Sequence, residues 1–116
     1  MWEGLQGGFL SFRRKLESSD AIRINSETDR VYLDTTAAVD ILDFKHHRKI
    51  RVEKSGSLST VIWNPWAAKA KQMPDFGDNE FKQMVCVESG NVAQHKITLA
   101  PNQSASLKAI LSSHPI

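Results

Sequence analysis

Hydrophobic and polar residues alternate along most of this chain, which is the pattern of β-strands whose two faces meet different surroundings. The runs are short, rich in β-branched and aromatic residues, and separated by turn-forming pairs such as Ser55-Gly56, Asn64-Pro65 and Ser89-Gly90. The predicted strands are VYLD, VDILDF, KIRVEK, TVIW, MVCVE, HKITLA and SLKAILS. Regular short strands of this kind predict an all-β fold built as an antiparallel β-sandwich or a barrel.

Only two stretches have the pattern of helices, and each is about a turn long. They are AAKAKQ, which follows Pro65, and NEFKQM. We find no internal repeat and no linker. A chain of 116 residues is long enough for one modest core, because a domain of this size buries roughly two thirds of the surface that its unfolded chain exposes.

Composition excludes several classes of protein. Hydrophobic residues make up 41% of the chain, charged residues 24%, and the formal charge is +2, all ordinary for a soluble globular protein. Basic residues are interleaved with acids, so no nucleic-acid partner is expected. No apolar run approaches the roughly 18 residues that span a membrane, and residues 1–15 lack the pattern of a secretory signal, so we expect neither. Cys86 is the only cysteine, which fits a reducing compartment, so we predict a cytoplasmic protein.

Glu88 ends the most apolar of the predicted strands, MVCVE. A period of two puts Met84, Cys86 and Glu88 on one face and Val85 and Val87 on the other. A carboxylate beside apolar side chains is partly desolvated, which raises its pKa and suits it to proton transfer near neutral pH. The alternative is a glutamate at a strand end that points into water, where most glutamates lie.

An ordered set of motifs extends over nearly the whole chain. WNPW with Lys69 is followed by DFGD and then by MVCVE with Gly90 and Asn91; ETDRVYLDT (27–35) and GLQG (4–7) precede them. In order and spacing the set resembles the C-terminal part of the hexose-6-phosphate mutarotases, the glucose-6-phosphate 1-epimerases. DFG also occurs in protein kinases, but nothing else in the chain supports that interpretation.

The resemblance implies a fold as well as a function. The mutarotases of this family form a large two-sheet, galactose mutarotase-like β-supersandwich, and we expect residues 21–116 to be its C-terminal portion. Residues 1–20 form a divergent segment. Relatives usually carry an aromatic residue followed by Asp within this region, whereas here Phe12 is followed by Arg13.

The activity that the resemblance implies is interconversion of the α and β anomers of a hexose 6-phosphate through ring opening. Glu88 matches the position of the family's catalytic base, and Asp29 matches a residue that hydrogen-bonds the sugar. A carboxylate suits that second task because it accepts two charge-assisted hydrogen bonds from hydroxyl groups. The alternative for Asp29 is a turn-capping residue paired with Arg30. The reaction needs no cofactor and no metal, and the preferred hexose phosphate is not predicted.

Other polar and aromatic residues are interpreted structurally. Trp63 and Trp66 could offer apolar faces to a pyranose, but we expect them to pack in the core. Asp75 and Asp78 are expected to shape the DFGD loop by bonding their own backbone. The adjacent pair His46-His47 cannot share a metal ion, because neighbours in an extended strand point in opposite directions.

The general acid is the missing part of the resemblance. In the mutarotases a histidine serves this role, and it lies upstream of the GLQG segment together with the arginines that hold the phosphate. His46, His47, His95 and His114 do not match its position. We therefore expect a truncated form that has little epimerase activity alone and poor solubility. The alternative is a non-catalytic carbohydrate-binding or interaction module on the same scaffold. Oligomeric state is not predicted.

Overall fold

The computed structural model describes residues 9–12 and 21–116. The strands are β1 Phe9–Phe12, β2 Ala21–Ile22, β3 Thr28–Leu33, β4 Val39–Asp43, β5 Arg48–Ser55, β6 Ser59–Asn64, β7 Cys86–Gly90 and β8 Lys108–Pro115. The helices are α1 (Trp66–Gln72) and three 3-10 helices at Phe44–His46, Glu80–Gln83 and Ala93–His95. The GLQG motif and the sequence RRK that follows β1 lie outside the described residues.

The strands form two antiparallel sheets. The larger sheet has five strands in the order β2-β1-β4-β5-β8, and the smaller has three in the order β3-β6-β7. Strands β3 and β7 are therefore the two edges of the smaller sheet, and both pair with β6 between them. This arrangement confirms the predicted all-β antiparallel sandwich. The division at residue 20 stays a prediction, and β1 within that segment pairs with β4.

The core lies between the two sheets. Val39 and Ile41 on β4 pack with Ile62 on β6 and with Ile24, and all four are buried. Each inner strand alternates, so that every second side chain enters the core, as the hydrophobic pattern predicts. Burial of each of these side chains stabilises the fold by about 1.5–3 kcal/mol before entropy is counted. The packing of β4 against β6 fixes which face of the smaller sheet is covered.

Lys54, on β5, lies between the sheets. Its Nζ donates hydrogen bonds to Ser59 O (2.8 Å), Thr60 Oγ1 (2.8 Å) and Ser57 Oγ (3.1 Å). Burial lowers the pKa of the Lys54 ammonium, because the charged form loses hydration. The three hydrogen bonds offset part of that loss and join β5 to the start of β6.

One predicted strand is absent. HKITLA forms the end of the Ala93–His95 helix followed by irregular chain, and Ile97 and Leu99 are each 52% exposed. A strand requires a partner that accepts its backbone hydrogen bonds, and no described strand pairs with these residues. AAKAKQ forms α1 and NEFKQM contains the short helix at Glu80–Gln83, both as predicted. None of the helices in the described ranges has the length and apolar character needed to traverse a bilayer.

Candidate active site

The smaller sheet has one buried face and one open face. Thr28, Thr60, Ile62 and Asn64 are buried on the side of the larger sheet. Because side chains alternate along each strand, the opposite side carries Asp29 and Val31 of β3, Val61 and Trp63 of β6, and Cys86 and Glu88 of β7. We call these six residues the open face. Asp29, Val31 and Glu88 are exposed, and the other three are half-buried.

The two predicted site residues, Asp29 and Glu88, both lie on the open face. Trp63 of β6 lies between Asp29 of β3 and Cys86 of β7. Glu88 lies two residues after Cys86 on β7, opposite Val61 of β6. Asp29 and Glu88 are thus separated by the distance between three neighbouring strands and, along the strand direction, by two residues. Their Cα atoms lie on the order of 12 Å apart. Neither carboxylate makes a hydrogen bond or an ion pair with a described residue. Two carboxylates without a partner among the described residues thus face the same side of one sheet.

Of the predicted strand MVCVE, Cys86–Glu88 lie in β7 and alternate as predicted, whereas Met84 and Val85 precede the strand. Glu88 is not partly buried. Val85 and Val87 pack against the core, and Cys86 and Glu88 face the other way. Glu88 is exposed because β7 is an edge strand, and the described residues leave this part of the open face uncovered. The pKa of the Cys86 thiol is raised by burial and, second, by the nearby charge of Glu88. On this face of β7 the cysteine is therefore the half-buried residue, and the glutamate is exposed.

The environment of Asp29 differs from the turn-capping alternative. Asp29 lies inside β3, and its neighbour Arg30 points to the opposite face of that strand. Trp63 lies directly opposite Asp29 on the open face. The prediction that both tryptophans pack in the core is right for Trp66, whose ring lies 5.0 Å from that of Phe81 and packs against the core cluster. Trp63, by contrast, is half-buried and lies beside the exposed carboxylate of Asp29.

Asn64 sets the start of the strand that carries Glu88. Its buried side-chain Nδ2 donates to the carbonyl oxygens of Phe81 and Met84, both at 2.9 Å, and its Oδ1 accepts a hydrogen bond from Trp66 N at 2.8 Å. The last contact supports Trp66 in a left-handed backbone conformation (φ 57°). Asn64-Pro65 is a turn signal in the sequence, but nothing in the sequence shows that the partners of Asn64 lie 17 and 20 residues away.

A second set of polar contacts fixes the end of β7. Ser57 Oγ and Ser59 Oγ each lie 2.7 Å from the carbonyl oxygen of Gly90. Asn91 Oδ1 accepts a hydrogen bond from Leu58 N at 2.9 Å. The Ser-Gly-Asn sequence after Glu88 is therefore anchored to the turn between β5 and β6, and both ends of the strand that carries Glu88 are held.

The DFGD loop is shaped by a different residue from those predicted. Asp75 and Asp78 make no hydrogen bond with a described residue, whereas Gly77 N donates to Glu80 Oε2 at 2.8 Å. A shallow depression of about 250 Å³ lies next to this loop and contains no residue of the open face. Its lining residues are Phe76, Glu80, Gln83 and Met84.

The four histidines lie off the strands of the smaller sheet. His46 Nδ1 lies 2.9 Å from Asp43 Oδ2, His95 Nε2 lies 2.6 Å from Asp34 Oδ1, and His114 Nε2 lies 2.9 Å from Ser112 Oγ. His47 ends the Phe44–His46 helix in a left-handed conformation. In the parts of the chain that the structure describes, no three His, Cys, Asp or Glu side chains are grouped to hold a metal ion.

Comparison with known proteins identifies the family. The family model described as aldose 1-epimerase matches residues 8–112. A protein of Cenchrus ciliaris, named as a candidate glucose-6-phosphate 1-epimerase, is 42% identical over 102 residues, which cover 88% of this chain and 31% of that protein.

Two bacterial proteins with the same name are also similar. The protein of Salmonella typhimurium (strain LT2) is 42% identical over 62 residues, covering 53% of this chain and 21% of the relative. That of Escherichia coli (strain K12) is 38% identical over 72 residues, covering 61% and 24%. The chain thus spans less than a third of the length of these relatives, and no solved structure matches it. From the match over residues 8–112, the chain belongs to the aldose 1-epimerase family.

Proposed function

We propose that this chain carries the general base and part of the sugar-binding surface of a glucose-6-phosphate 1-epimerase, with Glu88 as the base and Asp29 as a sugar ligand. The observation that carries the proposal is the open face, on which Asp29 and Glu88 are both exposed and unpaired within the described residues. The names of the relatives support the choice of substrate.

The chemistry requires a base and an acid at the anomeric centre. The base removes the proton of the C1 hydroxyl group, the acid protonates the ring oxygen, and the C1–O5 bond breaks to give the open-chain aldehyde. Rotation about the C1–C2 bond and reclosure with the reverse proton transfers give the other anomer. Glu88 acts as the base, and the anchored ends of β7 hold it in place for proton transfer over a short distance.

Asp29 and Trp63 suit the binding of the sugar ring. The Asp29 carboxylate accepts hydrogen bonds from two hydroxyl groups, and the ring of Trp63, directly opposite on β6, offers an apolar surface to the C–H groups of a pyranose. This arrangement separates the residue that binds the sugar, on β3, from the residue that reacts, on β7.

A second candidate function is a carbohydrate-binding module without catalysis. It is favoured by the positions of the four histidines, none of which lies on β3, β6 or β7 in the described part of the chain. A base without an acid leaves much of the transition-state stabilisation absent. In this alternative Asp29 and Trp63 keep their roles and Glu88 is a second hydrogen-bond acceptor.

The experiment replaces the matching part of the Cenchrus ciliaris relative with residues 8–112 of this chain, after exchange between the anomers of glucose 6-phosphate has been measured by NMR for the parent. In the chimera, Glu88→Gln should slow anomer exchange by a factor of about 100 or more, the usual contribution of a general base. Affinity should change little, because the amide keeps the shape of the side chain. Glu53→Gln, an exposed glutamate on β5, is the matched control and should retain the rate.

Two results would overturn the proposal. A Glu88→Gln chimera that exchanges anomers as fast as the unmodified chimera would exclude Glu88 as the base. If the sugar phosphate protects Cys86 of the isolated chain from alkylation but the chimera never exceeds the spontaneous rate, the binding module is the better description.

A further inference from the structure

The chain after Glu88 crosses the smaller sheet on the side of the open face. Ser59 shares its face with Val61, yet it is completely buried. Val92 N donates a hydrogen bond to Ser59 Oγ at 3.0 Å, so the backbone of residues 91–95 lies over this end of β6. We call residues 91–95 the crossing segment.

The crossing segment ends at the other edge of the sheet. His95 Nε2 lies 2.6 Å from Asp34 Oδ1, and Asp34 directly follows the last residue of β3, Leu33. The two residues are 61 positions apart in the sequence. The contact joins the edge strand that carries Asp29 to the chain that leaves the edge strand carrying Glu88. In the smaller sheet itself these two strands meet only through β6.

The contact joins two places where the backbone takes a left-handed conformation. Asp34 and Ala93 have φ angles of 55° and 53°, in the left-handed region, which is uncommon for residues other than glycine. Such conformations persist where surrounding contacts enforce them. The His95 side chain is only 17% exposed, whereas that of Asp34 is 75% exposed, so the imidazole is the enclosed partner of the pair.

We infer that Asp34 and His95 are positioning residues, which fix the separation of β3 and β7 and thereby hold Asp29 and Glu88 at the spacing that a hexose 6-phosphate requires. The role in sugar binding rests on the proposed function, whereas the mechanical link between the strands does not. The short contact is a charge-assisted hydrogen bond whose imidazole side is largely enclosed. Its loss leaves β6 as the only connection between the two edges among the described strands.

The first test needs no ligand. Amide hydrogen exchange is measured by NMR in the full chain for His95→Ala, for His95→Gln, whose amide group can still donate to Asp34, and for His114→Ala as the control. Exchange in Thr28–Leu33 and Cys86–Gly90 should be about tenfold faster in His95→Ala, and should be restored in large part by His95→Gln. It should not change in His114→Ala, nor in β4 and β5 of any variant. Unchanged exchange in β3 and β7 of His95→Ala overturns the inference.

The second test measures protection of Cys86 from iodoacetamide by glucose 6-phosphate in the same variants. Half-maximal protection of His95→Ala should require about tenfold more sugar phosphate, with His95→Gln close to the original chain. If exchange in β3 and β7 accelerates but protection does not shift, the contact links the strands without positioning the site, and the inference is wrong. If neither the original chain nor the chimera that contains it shows protection, the proposed function fails, while hydrogen exchange still decides whether the contact links the strands.

Discussion

The two sheets of this protein hold their carboxylates in opposite ways. Asp40 and Asp43, on β4 of the larger sheet, are buried and paired with basic side chains. Asp29 and Glu88, on the smaller sheet, are exposed and make no such pair with a described residue. A buried carboxylate is tolerated only when it is paired, whereas an exposed one contributes little to stability. The carboxylates of the larger sheet therefore stabilise the fold, whereas those of the smaller sheet are available to bind a ligand.

The pairing in the larger sheet is specific. Arg51 Nε and Nη2 donate to the two oxygens of Asp40 at 2.7 and 2.8 Å, the bidentate arrangement of a strong charge-assisted pair. Asp43 accepts a hydrogen bond from Arg48 Nε at 2.8 Å and lies 2.9 Å from His46 Nδ1. These contacts join β4 to β5 and to the turn between them, so they belong to the framework of the larger sheet.

The largest effect is expected at Asp43, because it is completely buried. Asp43→Asn should lower the free energy of unfolding by about 2 kcal/mol, since the amide NH₂ group meets the donors of Arg48 and His46. Urea denaturation measures the change. Asp75→Asn, at an exposed carboxylate without a hydrogen bond to a described residue, is the control and should alter stability little. A smaller loss for Asp43→Asn than for Asp75→Asn would contradict the comparison.

A smaller change in the free energy of unfolding is expected when the pH is lowered. Burial raises the pKa of Asp43, but hydrogen bonds from Arg48 and His46 together outweigh it and leave the pKa below the ordinary value of 3.8. A carboxylate whose pKa is lower in the folded state stabilises the fold above the unfolded value, and this contribution is lost as the pH falls through the folded value. The difference in unfolding free energy between the original chain and Asp43→Asn should therefore shrink below pH 3.8. A difference that stays constant down to complete protonation would disprove this origin.

Much of the fold could be predicted because the relevant signals are local. Alternation in MVCVE gives the faces of β7 correctly, since the side chains of any strand alternate regardless of its partners. Alternation does not predict HKITLA correctly. The pattern is present there, but no described strand pairs with these residues through backbone hydrogen bonds. The motif set also led to Asp29 and Glu88, but it could not give their exposure, which depends on what covers the sheet.

The supporting contacts of the candidate site could not be predicted. Asn64, Asn91 and His95 act through partners that are 17 to 61 residues away in the sequence. In sequence, Asn64 is a turn residue and His95 is a polar residue before an apolar run, so neither differs visibly from an ordinary surface residue. The roles of these three residues depend on the sheet topology, which places β3 and β7 on either side of β6.

The smallest effect on stability is expected at the open face itself. Glu88→Gln and Asp29→Asn should each change the free energy of unfolding by less than about 0.5 kcal/mol, because neither side chain loses a partner within the described residues. Urea denaturation at neutral pH, run beside Asp43→Asn, measures all three on one scale. A loss at Glu88 or Asp29 as large as that at Asp43 would mean that the carboxylate is part of the framework. Near-neutral stability with loss of sugar-phosphate binding or turnover is the combination that separates a site residue from a structural one.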